Sequence, residues 1–189
     1  MDMNSNVNKH VTTKKLFIIL VALSLYSCNR SDTDDSIKID EEPMSGQVIK
    51  IDDEIVQIRT KAVDILTIGS DSFVLNVELS RNFTPFCPPN GRRMYSFNRL
   101  VGMDSEKIPD NIDMVKQYVM HGDSVWIAGY QGGASHIGSP ECYKIEGVSN
   151  NGPKWGPEIS VEVISQINDI QTNQDYYVRQ RNAYIHKTQ

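Results

Sequence analysis

The sequence predicts an all-β fold, either an antiparallel β-sandwich or a small barrel with Gly/Pro-rich loops. Short β-branched runs recur between clusters of Gly, Pro and Asn, which is typical of antiparallel β domains. No alternation of strands with helices indicates a parallel sheet. Residues 72–79 alternate strictly, as a half-buried strand requires, and the apolar positions of that run are Phe73, Leu75, Val77 and Leu79.

The β domain is predicted over residues 47–168. Its first two strands are predicted at residues 48–51 and 55–58, because both runs are β-branched and two aspartates between them suit a turn. A third β-rich run covers residues 62–68 and stops at a Gly-Ser-Asp turn.

Residues 80–93 are predicted to form a loop, because three prolines and an Asn-Gly pair interrupt both strand and helix. A strand at residues 94–101 and a connection at residues 103–111 follow. Residues 112–120 fit two alternatives, namely a short helix capped by Asp110 or a strand.

The second half of the domain begins with a predicted hairpin whose strands meet at Gly122-Asp123. Its second strand covers residues 125–129. The remaining predicted elements are a loop at 131–140, a strand at 142–145, a loop at 149–157, a strand at 158–167 and a polar C-terminal tail or edge strand at 169–189.

One pattern within the domain resembles a known type of fold. The pair Ile108-Pro109, followed downstream by the segment 122–129, is similar to small lipoprotein domains of OB-like barrel type. This resemblance covers a short part of the chain and implies the barrel alternative.

Residues 1–27 are predicted to be a lipoprotein signal peptide. Three lysines precede an apolar run at residues 16–25, which is long enough for a signal-peptide core and too short to span a bilayer. Leu25-Tyr26-Ser27-Cys28 then resembles the lipobox of bacterial lipoproteins, with Tyr26 as a bulky departure. The resemblance implies that Cys28 is diacylated and that lipid chains attach the protein to a membrane.

Residues 28–46 are predicted to be an acidic flexible linker, because Asp, Glu and Ser dominate them. Ser31-Asp32-Thr33-Asp34-Asp35 resembles the export tag of lipoproteins on the surface of some gut Gram-negative bacteria. The resemblance implies an outer-membrane protein exposed at the cell surface. Asp35-Ser36-Ile37 resembles an O-glycosylation acceptor of the same bacteria, which makes Ser36 a candidate for glycosylation.

Cys87 and Cys142 are the two cysteines that remain once Cys28 is lipidated. In an oxidising compartment such an even pair predicts a disulfide. Closing the loop between Cys87 and Cys142 with a disulfide would stabilise the fold by about 4 kcal/mol in the loop-entropy model, because it restricts the unfolded chain. A zinc site or a catalytic thiol is less well supported, because neither cysteine has a partner at short spacing.

Composition and charge argue against several classes of function. Removing residues 1–27, which hold three lysines and one aspartate, takes the formal net charge from −5 to −7. Arg92-Arg93 and Arg179/Arg181 are pairs rather than patches, so the sequence predicts no binding of nucleic acid.

Catalysis is not predicted either. His121 falls in a turn and His136 in a Gly-rich loop, without the nucleophile elbow or orienting acid that acyl transfer needs. No phosphate loop, calcium loop or metal-ligand spacing is present in the sequence. We therefore predict no enzyme activity, no cofactor and no metal.

The predicted function is a non-catalytic binding or accessory module for a glycan or a protein at the cell envelope. If the disulfide joins its two loops, polar and aromatic side chains meet at one end of the domain, where binding residues usually lie. A structural assembly lipoprotein is the alternative, and a small hydrolase is a distant third. The candidate ligand-binding residues are Arg92, Trp126, Tyr130, His136 and Trp155.

Overall fold

The computed structural model describes residues 42–103, 107–137 and 144–189, all of which fall in one compact unit, Ile39–Gln189. Cys28, Ser36 and Cys142 lie outside the described residues. The elements, in chain order, are β1 (Gln47–Lys50), α1 (Asp53–Lys61), β2 (Leu66–Ile68), β3 (Asp71–Asn82), β4 (Met94–Gly102), β5 (Ile112–His121), β6 (Ser124–Gly129), β7 (Ser135–Ile137), β8 (Lys144–Gly152), β9 (Ser160–Asp169) and β10 (Gln174–Thr188).

The strands form a mixed sheet in the order β1-β6-β5-β9-β10-β3-β4-β8-β7, with β2 paired to β3. The first five strands of this order are sheet A, and the strands from β3 onward, with β2, are sheet B. Strand β10 joins them, because its earlier part pairs antiparallel with β9 and Ile185–Thr188 pairs parallel with β3. The all-β, sandwich-like prediction is confirmed. The sheet is not a closed barrel, and its β10–β3 pair departs from a purely antiparallel arrangement.

The main core lies between the two sheets. Large side chains of β6 and of the segment after it fit against glycines of β8. A Cβ atom added at Gly152 would lie 2.7 Å from the Trp126 ring, and one added at Gly147 would lie 2.5 Å from the Tyr130 ring. The absence of a side chain at both glycines therefore sets how closely the sheets approach.

The same interior contains a buried polar cluster. The Asn98 amide nitrogen lies 2.7 Å from the Gln117 side-chain oxygen and 3.0 Å from the Tyr130 hydroxyl. That hydroxyl is also 2.7 Å from the hydroxyl of Ser165. Burial raises the pKa of Tyr130 to about 12. These bonds satisfy polar groups that would otherwise be costly to bury.

Residues 53–61 form helix α1, so the strand predicted at 55–58 is wrong. The Asp52 side chain accepts a bond of 3.0 Å from the Ile55 amide and caps the helix. Acidic residues follow in the first turn and basic ones in the last, as the helix dipole favours. Ile55 and Ile58, three residues apart, are buried on one face of the helix. Burial at this helical spacing therefore outweighs the β-branched propensity of the segment.

Helix α1 covers the outer face of sheet A and creates a second core. Its two buried isoleucines pack there with Tyr118, Met120, Val125 and Ile164 of the sheet. Where the helix packs on it, sheet A is therefore buried on both faces, unlike a half-exposed antiparallel sheet. This explains why residues 112–120 were ambiguous in the sequence: four consecutive residues of β5, 117–120, are buried, and they show no alternation.

The predicted C-terminal tail or edge strand is also wrong. Strand β10 lies between β9 and β3 in the strand order. Val178, Ala183 and Ile185 are buried in the main core. The predicted loop at 131–140 contains the short strand β7, and β8 extends through Gly152 into the predicted loop at 149–157. Within the described ranges, no helix has the length and apolar character needed to cross a bilayer.

Candidate functional site

A polar groove of about 430 Å³ opens on sheet A beside helix α1. It collects side chains from the helix, from the β5–β6 turn, from the start of β9 and from the middle of β10. We call it the arginine groove. Its lining residues are Ile51, Arg59, Met120, His121, Gly122, Ser160, Val161, Glu162, Arg181 and Asn182.

A bulge in β10 places the last two of these residues. The pairing of β10 with β9 shifts between Gln180 and Ala183, so residues 181 and 182 have no direct partner there. Asn182 takes a left-handed conformation, with a φ of 55°. Bulges of this kind redirect side chains and are common beside binding sites. Here the bulge brings Arg181 to the groove.

Three arginines and two carboxylates alternate in an ion-pair cluster, of which Arg59, Glu162 and Arg181 line the groove. The Arg59 Nε atom lies 2.8 Å from the Glu162 Oε2 atom, and an Arg179 terminal nitrogen lies 3.6 Å from the Glu162 Oε1 atom. Asp64 Oδ1 accepts bonds of 2.9 Å from Arg179 Nε and 3.1 Å from Arg181 Nε. The cluster carries one net positive charge on a chain whose formal net charge is −5.

The two acids differ in their surroundings. The Glu162 side chain is only 11% exposed, and its Oε1 atom is buried without a hydrogen bond within the described residues. Asp64 is exposed, and hydrogen bonds from Arg179 and Arg181 lower the pKa of its carboxyl below the usual value. Both acids orient the arginines through these contacts.

The guanidinium groups of Arg59 and Arg181 make only some of the hydrogen bonds that they could donate. Each side chain is 54% exposed and pairs with a carboxylate through Nε. In the part of the chain that the structure describes, no hydrogen bond or ion pair engages their terminal nitrogens. Two paired, solvent-facing N–H forks are therefore open to an anionic oxygen ligand, which guanidinium groups bind in bidentate geometry.

Aromatic rings border the groove beside these charges. The exposed imidazole of His121 lies with its centroid 5.4 Å from the Trp155 ring, at an angle of 32°. Trp155 is half-buried and packs on the main core. The core thus supports a flat surface at the edge of the arginine groove.

Two of the predicted ligand residues are core residues, so their predicted role in a surface site is wrong. Trp126 is fully buried, and its Nε1 atom donates a bond of 2.8 Å to the carbonyl of Ser45. Tyr130 belongs to the buried polar cluster described above. Strand alternation did not show whether Trp126 faces the core or the surface, because both faces of β6 are covered.

The other predicted ligand residues do not meet at one place. His136 lies on β7, where its Nε2 atom is 3.1 Å from the carbonyl of Ile112. Arg92 is exposed in the loop before β4. Only Trp155 borders the arginine groove, and it does so through His121.

Cys87 is a free thiol in the structure, so the predicted disulfide is not seen there. Its partner, Cys142, lies outside the described residues, and the pairing stays a prediction. The Cys87 sulfur lies 3.2 Å from the Thr84 hydroxyl. This hydrogen bond, with a smaller contribution from Arg92, lowers the pKa of the thiol.

Sequence reasoning missed Arg59, Glu162 and Arg181 as site residues. The Arg179/Arg181 pair was visible as a charged pair, but nothing local indicated a bulge there. The position of Arg59 depends on helix α1, and the β-branched residues of that segment had indicated a strand.

Comparison with protein-family models, with curated proteins and with solved structures finds no match to this chain. Among residues 42–103, 107–137 and 144–189, no three His, Cys, Asp or Glu side chains are grouped in a way that could hold a metal ion.

Proposed function

We propose that this protein is an exported, lipid-anchored envelope protein that acts as a non-catalytic binding module, with an acidic glycan bound in the arginine groove. The signal segment and the lipobox-like Cys28 support the location at the outer membrane. The observation that carries the binding role is that Arg59 and Arg181 line one groove while their half-exposed guanidinium groups are engaged only through Nε among the described residues.

The groove's charge supports an anionic ligand. A carboxylate or sulfate on a sugar meets two guanidinium forks and one net positive charge. Such charge-assisted bonds contribute about 1.5–3 kcal/mol each, roughly twice a neutral hydrogen bond.

The rest of the lining supports a sugar rather than a peptide. Ser160 and Asn182 offer polar groups for hydroxyls, and the His121 ring, backed by Trp155, offers a flat face for a pyranose. The groove is open and polar, without the deep apolar pocket that a peptide side chain uses as an anchor.

The carboxylates of the groove favour binding over hydrolysis. Glycoside hydrolysis needs two facing carboxyl groups. Of the residues that line the groove, Glu162 alone carries a carboxyl group, and it is already paired with Arg59 and Arg179. A single carboxyl group engaged by two arginines does not provide that facing pair.

The test is a glycan array that presents acidic oligosaccharides beside their carboxyl-reduced counterparts. We expect binding to acidic members only, lost in Arg59→Gln and Arg181→Gln. Arg99→Gln is the matched control, because Arg99 lies on β4 of sheet B, pairs with Glu78 and Glu146, and does not line the groove. Equal binding of acidic and reduced members, or release of cleaved sugar, would contradict the proposal. Binding of acidic peptides alone would assign the groove to a protein partner.

A further inference from the structure

A second feature lies away from the groove, in the Pro-rich loop at residues 83–93, which we call the Phe86 loop. Its backbone is held in tight turns. The Cys87 amide donates to the Thr84 carbonyl at 2.9 Å, and the Gly91 amide donates to the Pro88 carbonyl at 2.7 Å. Three prolines restrict it further. The loop is therefore pre-organised.

The buried side chain of Arg81 fixes the base of this loop. It donates to the carbonyl of Arg92 at 3.0 Å and to that of Asn90. It also donates to the carbonyls of Lys154 at 3.1 Å and Gly156 at 2.6 Å. One guanidinium group thus joins the Phe86 loop to the segment before β9.

Phe86 projects from the loop with 83% of its surface exposed. It is the only large apolar side chain of residues 83–93 that is exposed, since the Phe83 ring packs over Gly91. Holding one aromatic ring in water on a rigid loop gains nothing for folding. A lone ring without an apolar rim is too small for a stable protein interface, but it suits insertion between lipid headgroups.

Cations from three segments surround this loop. Arg92 and Arg93 end it, Lys154 Nζ donates to the Asn90 side chain at 2.8 Å, and Lys187 Nζ lies 5.5 Å from the Phe83 ring centroid. Residues 83–93 contain no acid. Of these cations, Arg92 and Lys187 are exposed, whereas Arg93 contacts Glu42. Exposed cations beside an exposed ring favour anionic headgroups.

The chain that leads from the predicted anchor arrives at the same end of the domain. Arg93 Nε donates to the carbonyl of Glu42 at 3.1 Å, at the beginning of the described residues. Thirteen residues separate Glu42 from Cys28, which span about 50 Å at full extension. The first described residue of the chain therefore lies beside the Phe86 loop.

We infer that the Phe86 loop is a second membrane contact, in which Phe86 inserts among the headgroups of a bilayer with anionic lipid and the exposed cations Arg92 and Lys187 bind phosphate oxygens. One lipid signal gives weak, reversible attachment and a second makes it stable. This contact orients the domain on the membrane, and it does not depend on the ligand of the arginine groove.

The test uses the chain from residue 28 onward with Cys28→Ser, which retains the whole compact unit Ile39–Gln189 and carries no lipid. Flotation with phosphatidylcholine vesicles, with and without phosphatidylglycerol, measures partitioning. We expect binding to the phosphatidylglycerol vesicles, which falls about tenfold in Phe86→Ala. Ile170→Ala is the matched control, because Ile170 is 63% exposed on the β9–β10 turn, and we expect it to bind like the parent.

A second variant reports insertion directly. The emission of Phe86→Trp shifts to the blue when phosphatidylglycerol vesicles are added, if the ring enters the bilayer. An unchanged emission, no vesicle binding, or equal losses in Phe86→Ala and Ile170→Ala would each overturn the inference. Phe86-dependent binding to a purified envelope protein in place of vesicles would also overturn it.

Discussion

Arg81 and the pair Arg59/Arg181 place the same functional group in two opposite settings. Arg81 is 3% exposed, and its guanidinium donates to four backbone carbonyls. Arg59 and Arg181 are 54% exposed and use only Nε. A saturated, buried guanidinium stabilises the fold, whereas an exposed one with open terminal nitrogens contributes little to folding and is available to a ligand. The number of occupied N–H groups therefore separates the structural arginine from the binding ones.

The largest expected effect comes from removing the saturated arginine. Arg81→Met should lower the free energy of unfolding by about 3–5 kcal/mol, because four part-buried hydrogen bonds to a charged donor are lost together. Equilibrium urea unfolding measures this change. Arg81→Lys should restore little of it, since an ammonium group lacks the planar fork. A loss below about 1 kcal/mol would show that water replaces these hydrogen bonds. Arg81 could then not be called a structural arginine in contrast to Arg59 and Arg181.

A smaller loss is expected at Gly152, which begins the segment that Arg81 holds. Gly152→Ala should cost about 1–3 kcal/mol, because the new methyl group meets the Trp126 ring. Gly129→Ala is the control, since a Cβ there has no neighbour nearer than 4.0 Å. Urea midpoints of the two variants give the comparison. Equal midpoints would mean that the sheets shift apart at little cost.

The groove arginines should matter far less for folding. Arg59→Gln and Arg181→Gln are each expected to change the free energy of unfolding by less than about 1 kcal/mol, because both side chains are half-exposed and screened by water. The same urea experiment measures this, with Arg99→Gln as the reference ion-pair variant. A loss as large as that of Arg81→Met would place these arginines among the structural ones.

The smallest effect is electrostatic and appears at Asp64. Hydrogen bonds from Arg179 and Arg181 lower the pKa of its carboxyl. A group with a lowered folded pKa stabilises the protein above its unfolded pKa, and this contribution disappears as the pH falls through the folded pKa. Arg181→Gln should raise the pKa of Asp64 toward the ordinary value, as an NMR titration of the carboxyl carbon would show. An unmoved pKa would mean that Arg179 alone holds Asp64.

Three strands show when the local sequence pattern predicts a strand correctly and when it does not. Residues 72–79 were predicted correctly because one face of β3 is buried and the other is not, so the period is visible in the sequence. Strand β5 has both faces covered around residues 118–120, which removes that period. Strand β10 is polar enough to look like a tail, and its place beside β3 depends on partners distant in the sequence.

The candidate site was less accessible to sequence reasoning than the fold. It assembles from a nine-residue helix, a hairpin turn and a bulge whose register is set by β9. Tertiary packing overrides the β-branched propensity of Ile55 and Ile58 and places Arg59 on a helix. The bulge at Arg181 and Asn182 has no local signature such as glycine, and Asn182 tolerates the left-handed conformation.

The most direct measurement is calorimetric titration of the protein with an acidic oligosaccharide and its carboxyl-reduced counterpart. We expect the wild-type protein to prefer the acidic sugar. In the Arg59→Gln/Arg181→Gln variant we expect this preference to fall by about tenfold or more, while the urea midpoint stays close to that of wild type. An unchanged preference in a folded variant would contradict the claim that open guanidinium groups make this groove a binding site.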